Sequence, residues 1–361
     1  MTAERALTAV AVSGGRDSLY ALARLKEQGL SLLALHARML PADLVPTGYE
    51  AMLERLAAAC AVLDIPLHVA DCTERFAEAV ITPFIHAYAG GKTPNPCAVC
   101  NARIKFGLLL DIARELGASS LATGHYAHLV ALPDGPALFT GGDAAKDQSY
   151  FLSLVSREQL AHALFPLAST TKTNVAPYLA SRGLAVPIPG ESQEICFVPE
   201  DNYRAFIQGR ADRLGLALSG PGPVALPDGR IIGEHKGLWR YTEGQRKGLG
   251  IAWSEPLYVL AKNTAANTLL VGAAANRAGK TIMAGSVNYL VPPDQWPEEV
   301  LMRTRYRQTP KRGKAEHADG VLYLHEDTPD GPHAAGQLAT IYTPDAAFQN
   351  RLRVLGGGII L

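Results

Sequence analysis

The sequence predicts an α/β protein: a doubly wound parallel sheet in its first half, then short strands forming small antiparallel sheets or a barrel. Two observations carry this expectation. Strand-like and helix-like segments alternate up to about residue 203, the pattern of parallel strands joined by crossover helices. Beyond it, turn signals such as Pro227-Asp228-Gly229 and Pro329-Asp330-Gly331 separate short β-prone stretches.

In chain order, Leu7 to Val12 reads as a buried strand, and Leu19 to Gln28 as a helix closed by Gly29. Leu30 to Leu35 reads as the second strand, Tyr49 to Leu63 as a helix, and Ile65 to Ala70 as the third strand. Helical patterns recur at Phe76 to Tyr88 and at Ala102 to Leu116, the latter ending at Gly117. Ser119 to Thr123 is a further buried strand. After it come Arg230 to Ile232, Leu257 to Leu260, Thr268 to Val271, Val321 to Leu324 and Leu338 to Tyr342, all short and β-prone. Ala-Leu-Pro-Asp-Gly at 131–135 and again at 225–229 reads as one hairpin solution used twice. Boundaries fall near 203 and 275, giving domains 1–203, 204–275 and 276–361.

Among 361 residues, 48% are hydrophobic and 19% charged, enough apolar material for several cores and too much for a disordered chain. Lys+Arg and Asp+Glu are both 34. A surface that coats nucleic acid everywhere is therefore excluded, whereas a local basic patch is not. No apolar run approaches the roughly 20 residues that span a bilayer, and Leu7 to Val12 does not lead into a signal-peptide cleavage site. Five cysteines, an odd number, point to reactive or metal-binding thiols in a reducing cytoplasm and not to a disulfide framework.

Ser13-Gly14-Gly15-Arg16-Asp17-Ser18 lies between the first strand and first helix. Its glycines admit an anion close to the backbone, its hydroxyls donate, and the helix N-terminus adds free N–H groups. It matches neither the Walker pattern nor the dinucleotide fingerprint. It resembles the PP-loop of ATP pyrophosphatases, which split ATP between the α and β phosphates. Three further segments narrow the resemblance: Thr93-Pro94-Asn95-Pro96-Cys97-Ala98-Val99-Cys100-Asn101, Gly190-Glu191-Ser192-Gln193-Glu194-Ile195-Cys196-Phe197-Val198, and Lys146-Asp147-Gln148-Ser149-Tyr150-Phe151. With Thr123-Gly124-His125-Tyr126, Gly244 to Ile251 and the terminal Leu355-Gly356-Gly357-Gly358-Ile359-Ile360, the chain resembles the tRNA-specific 2-thiouridylases over almost its whole length.

That resemblance implies an N-terminal PP-loop domain of the adenine nucleotide α-hydrolase-like kind, a small central domain and a C-terminal β-barrel. It implies ATP with Mg²⁺ as cofactor, held at Ala11, Val12, Ser13, Gly14, Gly15, Arg16, Asp17, Ser18, Ala37 and Gly124. It implies adenylation of the C2 oxygen of the wobble uridine, then sulfur delivery from a persulfide on Cys196. Cys100 would attack or resolve that persulfide through a transient Cys100–Cys196 disulfide. A persulfide donor such as a cysteine desulfurase or a sulfur relay protein would load it. Cys60 and Cys72 read as packing residues.

Two departures from the family stand out. Cys97 replaces the usual aspartate of Asn-Pro-Asp, creating Cys97-x-x-Cys100. A thiol near ~8.5 is no isostere of a carboxylate near ~3.9. Three readings stay open: a thiolate or spare resolving thiol, one ligand of a [4Fe–4S] cluster with Cys100 and Cys196, or a structural zinc site. Leu35-His36-Ala37-Arg38-Met39 replaces the family's Met-Lys-Asn-Trp segment, so only the backbone near Ala37 carries over as an adenine contact.

The tRNA contacts implied are Asn95, Pro96 and Cys97 at the target base, with His125, Lys146, Asp147, Gln148, Arg305, Tyr306 and Gln337 around the anticodon loop. Arg303 to Lys314 holds six cations and no acid, suiting phosphate contact and stacking on a splayed nucleotide. Two other classes compete. One is a PP-loop enzyme of different chemistry, either an amidotransferase-type synthetase or a thiolase acting at another tRNA base. The other is a non-catalytic tRNA-binding or sulfur-carrier protein. The thiol pair opposes a nitrogen-transferring synthetase, and retained Asp17, Ser18 and both cysteines oppose a mere binder.

Overall fold

Strand β1 (Leu7–Ala11), with three consecutive fully buried residues, runs down the middle of a parallel sheet. The other strands are β2 (Ser31–Arg38), β3 (Leu67–Asp71), β4 (Ala118–Ala122) and β7 (Ala163–Leu164), in the order β3-β2-β1-β4-β7. All four pairings are parallel. The computed structural model describes residues 6–188, 190, 195–273, 276, 281–329, 331–348 and 351–361.

Helices cover both faces of this sheet, because its strands are apolar on both sides. Helices Arg16–Glu27, Tyr49–Val62 and Lys172–Ala180 bury Leu19, Leu22, Leu56 and Leu179 on one face. On the other face lies a single helical run over 96–115, which contributes Phe106, Leu109 and Leu110. That run begins as α-helix Pro96–Cys100, widens to π-helix over Asn101–Leu109 and returns to α-helix over Leu110–Glu115. The first helix starts three residues earlier than the apolar pattern suggested, so the glycine loop runs straight into its N-terminus. Gly29 ends it at φ +75°.

A four-stranded sheet over 222–272, ordered β10-β11-β8-β9, encloses a small core of Val224, Val259, Leu269 and Val271. Here β8 is Gly222–Ala225, β9 Ile231–His235, β10 Tyr258–Asn263 and β11 Thr268–Gly272.

The last sheet is antiparallel throughout, with the order β12-β15-β14-β13-β16-β17-β6-β5. Its strands are β5 (Ala127–Leu132), β6 (Gly135–Thr140), β12 (Ile282–Tyr289), β13 (Val300–Arg303), β14 (Lys311–Ala318), β15 (Val321–Glu326), β16 (Leu338–Pro344) and β17 (Leu352–Ile360). Pairing of β12 with β17 closes six of them into a barrel, which removes the exposed edges. Hairpin β5–β6 extends this sheet through Arg353 opposite Phe139, so a segment of the first half of the chain joins the C-terminal sheet. Both Ala-Leu-Pro-Asp-Gly segments are hairpin turns, as their sequence suggested. No helix among the described residues is long and apolar enough to cross a membrane.

Candidate active site

The loop Ser13–Gly15 is stiffened by its own hydroxyls. The Ser18 hydroxyl donates to the Gly15 carbonyl at 3.0 Å and accepts from the Ser13 N–H at 3.1 Å. Gly14 sits at φ +82°, and a Cβ there would come within 2.8 Å of the Met52 sulfur, so only glycine fits without strain. Upstream, the His36 Nδ1–H donates to the Val12 carbonyl at 2.7 Å, which leaves Nε2 to accept from the Tyr49 hydroxyl at 2.8 Å. Burial holds His36 below the usual histidine range and keeps it neutral in this role.

Asp17 sits in the first turn of the helix that follows. Lys172 Nζ donates to both its carboxylate oxygens, at 2.8 and 2.7 Å, and the Tyr126 hydroxyl donates to one of them at 2.8 Å. Gly124 packs against the same turn: an added Cβ would lie 2.8 Å from the Asp17 carbonyl carbon and 2.9 Å from the Ser18 nitrogen. Its lack of a side chain therefore lets the loop after β4 pack on the start of that helix.

These elements wall a cavity of about 420 Å³. Of the expected nucleotide contacts, Ala11, Val12, Ser13, Asp17, Ser18, Ala37 and Gly124 line it; Gly14, Gly15 and Arg16 lie outside the lining. Met39, Tyr49 and Met52 supply an apolar side suited to a purine. Lys105, His125, Gln148 and Cys196 line the remainder. One space thus joins the phosphate loop to a thiol.

Cys97 and Cys100 belong to the short helix that Asn95 caps by accepting from the Ala98 N–H at 3.2 Å, with Pro96 in its first turn. Cys100 is buried, Cys97 half-buried, and Cys196 is exposed at the cavity mouth. Cys100 and Cys97 both interact electrostatically with Cys196, so the fold gathers the three thiols. Burial pushes Cys100 up to about 12, and the protein walls push Cys196 up to about 11; Cys97 is raised for the same reason. Lys105 opposes the rise at all three. Cys60 and Cys72 are buried in apolar cores and each is pushed up to about 11, in keeping with a packing role. All five thiols are free. Among the described residues no three His, Cys, Asp or Glu side chains form a group that could hold a metal ion. Residues Glu191–Glu194 of the Cys196 motif lie outside the described residues.

Among the expected tRNA contacts, Arg305 is exposed and Lys146 half-buried. Asp147 is buried, bound by Arg303 at 2.6 Å and by the Gly141 and Ser149 N–H groups and the Ser149 hydroxyl. Gln148 accepts from the Tyr126 N–H at 3.0 Å, and Tyr306 packs its ring 4.6 Å from that of Phe151. Gln337 Nε2 donates to the carbonyls of Thr93 and Pro94, at 3.0 and 3.3 Å, and so holds the segment leading into Asn95 and Pro96. Within the basic run, Lys311 pairs with Glu326 and Lys314 with Glu298. His125 is buried against Phe106 and Phe165 and faces Lys105. Sequence reasoning missed Lys105, Tyr126 and Lys172 as site residues; Lys105 stood beside the Cys100 motif, Tyr126 closed the Thr123–Tyr126 motif without a role of its own, and Lys172 had no local signal.

Three family models cover the chain: "tRNA methyl transferase HUP domain" over residues 7–200, "tRNA methyl transferase PRC-barrel domain" over 215–273, and "Aminomethyltransferase beta-barrel domain" over 279–360. The chain is 50% identical to a tRNA-specific 2-thiouridylase of Nitratidesulfovibrio vulgaris over 98% of both chains. It is 48% identical to one of Lawsonia intracellularis, again over 98% of both. A 4-thiouridine synthetase bound to RNA and ATP aligns with 58% of this chain and 51% of its own, at 15% identity and a TM-score of 0.37, too remote to bear on function.

Proposed function

Because the chain belongs to the family of tRNA-specific 2-thiouridylases, we propose that it replaces the C2 oxygen of the wobble uridine of tRNA by sulfur, using ATP. The observation that carries this reading is the single cavity running from Ser13, Asp17 and Ser18 to Cys196, with Cys100 beside it. A methyl transfer, which the family-model descriptions name, has no use for an ATP phosphate loop beside a thiol pair.

A uridine C2 carbonyl is a poor electrophile, so its oxygen must become a leaving group. That oxygen attacks the α-phosphorus of ATP, pyrophosphate departs, and AMP remains on O2. The loop hydroxyls and helix N–H groups receive the phosphates. Asp17 is the carboxylate suited to hold Mg²⁺, which when bound would offset the charge of the departing pyrophosphate. Cys196, at the open end, carries the incoming sulfur as a persulfide loaded by a donor such as a cysteine desulfurase or relay protein. The terminal sulfur attacks C2 while the Cys100 thiolate attacks Sγ of Cys196. The S–S bond breaks, its electron pair stays on the sulfur now bonded to C2, and a Cys100–Cys196 disulfide forms. Cleavage of the C2–O bond then releases AMP. A thiol reductant restores the two thiols. Cys97 serves as a spare thiol beside this pair.

In this reading residues 1–203 bind ATP and carry the chemistry, and 204–275 form the central domain. Residues 276–361 contact tRNA through Arg305 and Tyr306, with Gln337 acting on the loop before Asn95. The five free thiols suit the reducing cytoplasm. The test is Cys196→Ser in the full chain with ATP, tRNA and a persulfide source. Loss of 2-thiouridine by mass spectrometry, with tRNA binding retained, is expected. Thiouridine formed at the wild-type rate would refute the persulfide assignment.

A further inference from the structure

We propose that Lys105, fixed in place by a neutral His125, is the counterion of the transfer thiols, pairing with whichever sulfur of the Cys100–Cys196 pair becomes anionic. The proposal rests on the sulfur-transfer reading for its purpose, and on geometry for its content.

Lys105 lies five residues after Cys100. In a regular α-helix that spacing would turn it roughly 140° away around the axis. The helix is instead wound as π over Asn101–Leu109, with hydrogen bonds running i→i+5, which returns position 105 to the side of Cys100. The wider turn is supported from outside: the Gln159 side chain donates to the Ala102 carbonyl at 3.0 Å. Lys105 Nζ then reaches His125 Nε2 at 3.4 Å, and His125 Nδ1 lies 2.7 Å from Thr123 Oγ1. An ammonium can only donate, so Nε2 accepts and the Nδ1–H donates to Thr123. Burial holds His125 well below the usual histidine range, so it offers Lys105 an acceptor and no competing positive charge.

The groups facing this ammonium are Cys97 and Cys100 from its own helix, Cys196 from the far wall of the cavity, and His125 from the loop after β4. Cys72, after β3, lies behind Cys100. Among the described residues, no carboxylate appears among the charges that act on the three thiols, and a single positive charge supports one thiolate at a time. Burial at Cys100 and the surrounding protein at Cys196 disfavour the thiolate, Lys105 works against both, and the thiolate is the nucleophile.

The test is the rate of alkylation of Cys196 by iodoacetamide against pH, read on its own peptide by mass spectrometry, in wild type, Lys105→Met and Lys105→Arg. The midpoint should move up by about one unit in Lys105→Met, with a rate near neutral pH about tenfold lower, and Lys105→Arg should restore most of both. A midpoint unchanged in a Lys105→Met protein with native circular dichroism overturns the proposal. Should that variant fail to fold, an unchanged midpoint in His125→Gln, which loosens Lys105, does the same. Alkylation needs neither ATP nor tRNA. A shifted midpoint in a chain that makes no thiouridine would therefore sink the sulfur-transfer reading and leave this one standing.

Discussion

Asp17 concentrates the chemistry of the phosphate loop into one carboxylate with two donors, Lys172 and Tyr126. Replacing it by Asn keeps the shape and the Tyr126 contact but removes the charge that Lys172 and a magnesium ion would share. We expect Asp17→Asn to lower tRNA-dependent pyrophosphate release by roughly 100-fold or more, measured by a coupled phosphate assay. A rate within a few-fold of wild type would remove Asp17 from the phosphate site. The loop itself was legible in the sequence because six consecutive residues hold its chemistry. Its partners were not: Lys172 and Tyr126 lie 155 and 109 positions away, and although Tyr126 closes the Thr123–Tyr126 motif, nothing in the sequence ties it to Asp17. The three cysteines were legible through their motifs, but the cation between them needed the winding of a helix.

Helices and strands show the same division. Strand β1 was readable because its segment is almost wholly apolar and buried, whereas β7, two residues long, left no pattern to read. Strand β14 was read instead as a basic run. Its residues Lys311–Ala318 bury only Gly313, so no apolar alternation advertises a strand. The π winding of 101–109 left no periodic mark either, since a short widened turn changes the apolar face too little. In β17 the glycines were visible and their reason was not: a Cβ on Gly356 would stand 2.5 Å from the Asn288 carbonyl oxygen on β12, across the pairing that closes the barrel. Gly356→Ala should therefore force these strands apart and destabilise the barrel by about 1–3 kcal/mol, seen as an earlier denaturant transition by tryptophan fluorescence, where Trp296 packs on the barrel core. An unshifted transition would mean that the strands part without loss.

Across the whole molecule, the segment leading into Asn95 and Cys97 is gripped by parts of the chain far away in sequence. The Thr93 N–H donates to Ala335, its hydroxyl meets that of Thr242 at 3.0 Å, and Gln337 holds its carbonyl. On the proposed reading this joins the RNA-contacting barrel to the thiol-bearing segment, and the basic run divides into paired and exposed residues. Arg303, Lys311 and Lys314 are paired with Asp147, Glu326 and Glu298, so they bring little net charge to a phosphate. Arg305, Arg307 and Arg312 are exposed. Each phosphate contact contributes about 0.7–0.9 to the slope of log affinity against log salt. Replacing these three by Ala should weaken tRNA binding and flatten that slope by about 2, measured by filter binding across a salt series. Gln337→Ala should leave the slope alone and slow thiolation under saturating tRNA, because it loosens Thr93 and Pro94 without removing a charge. If the triple variant kept the wild-type slope, the RNA would have to lie on another face. If Gln337→Ala moved the slope while sparing the rate, Gln337 would be a contact to RNA and not a clamp on the loop before Asn95.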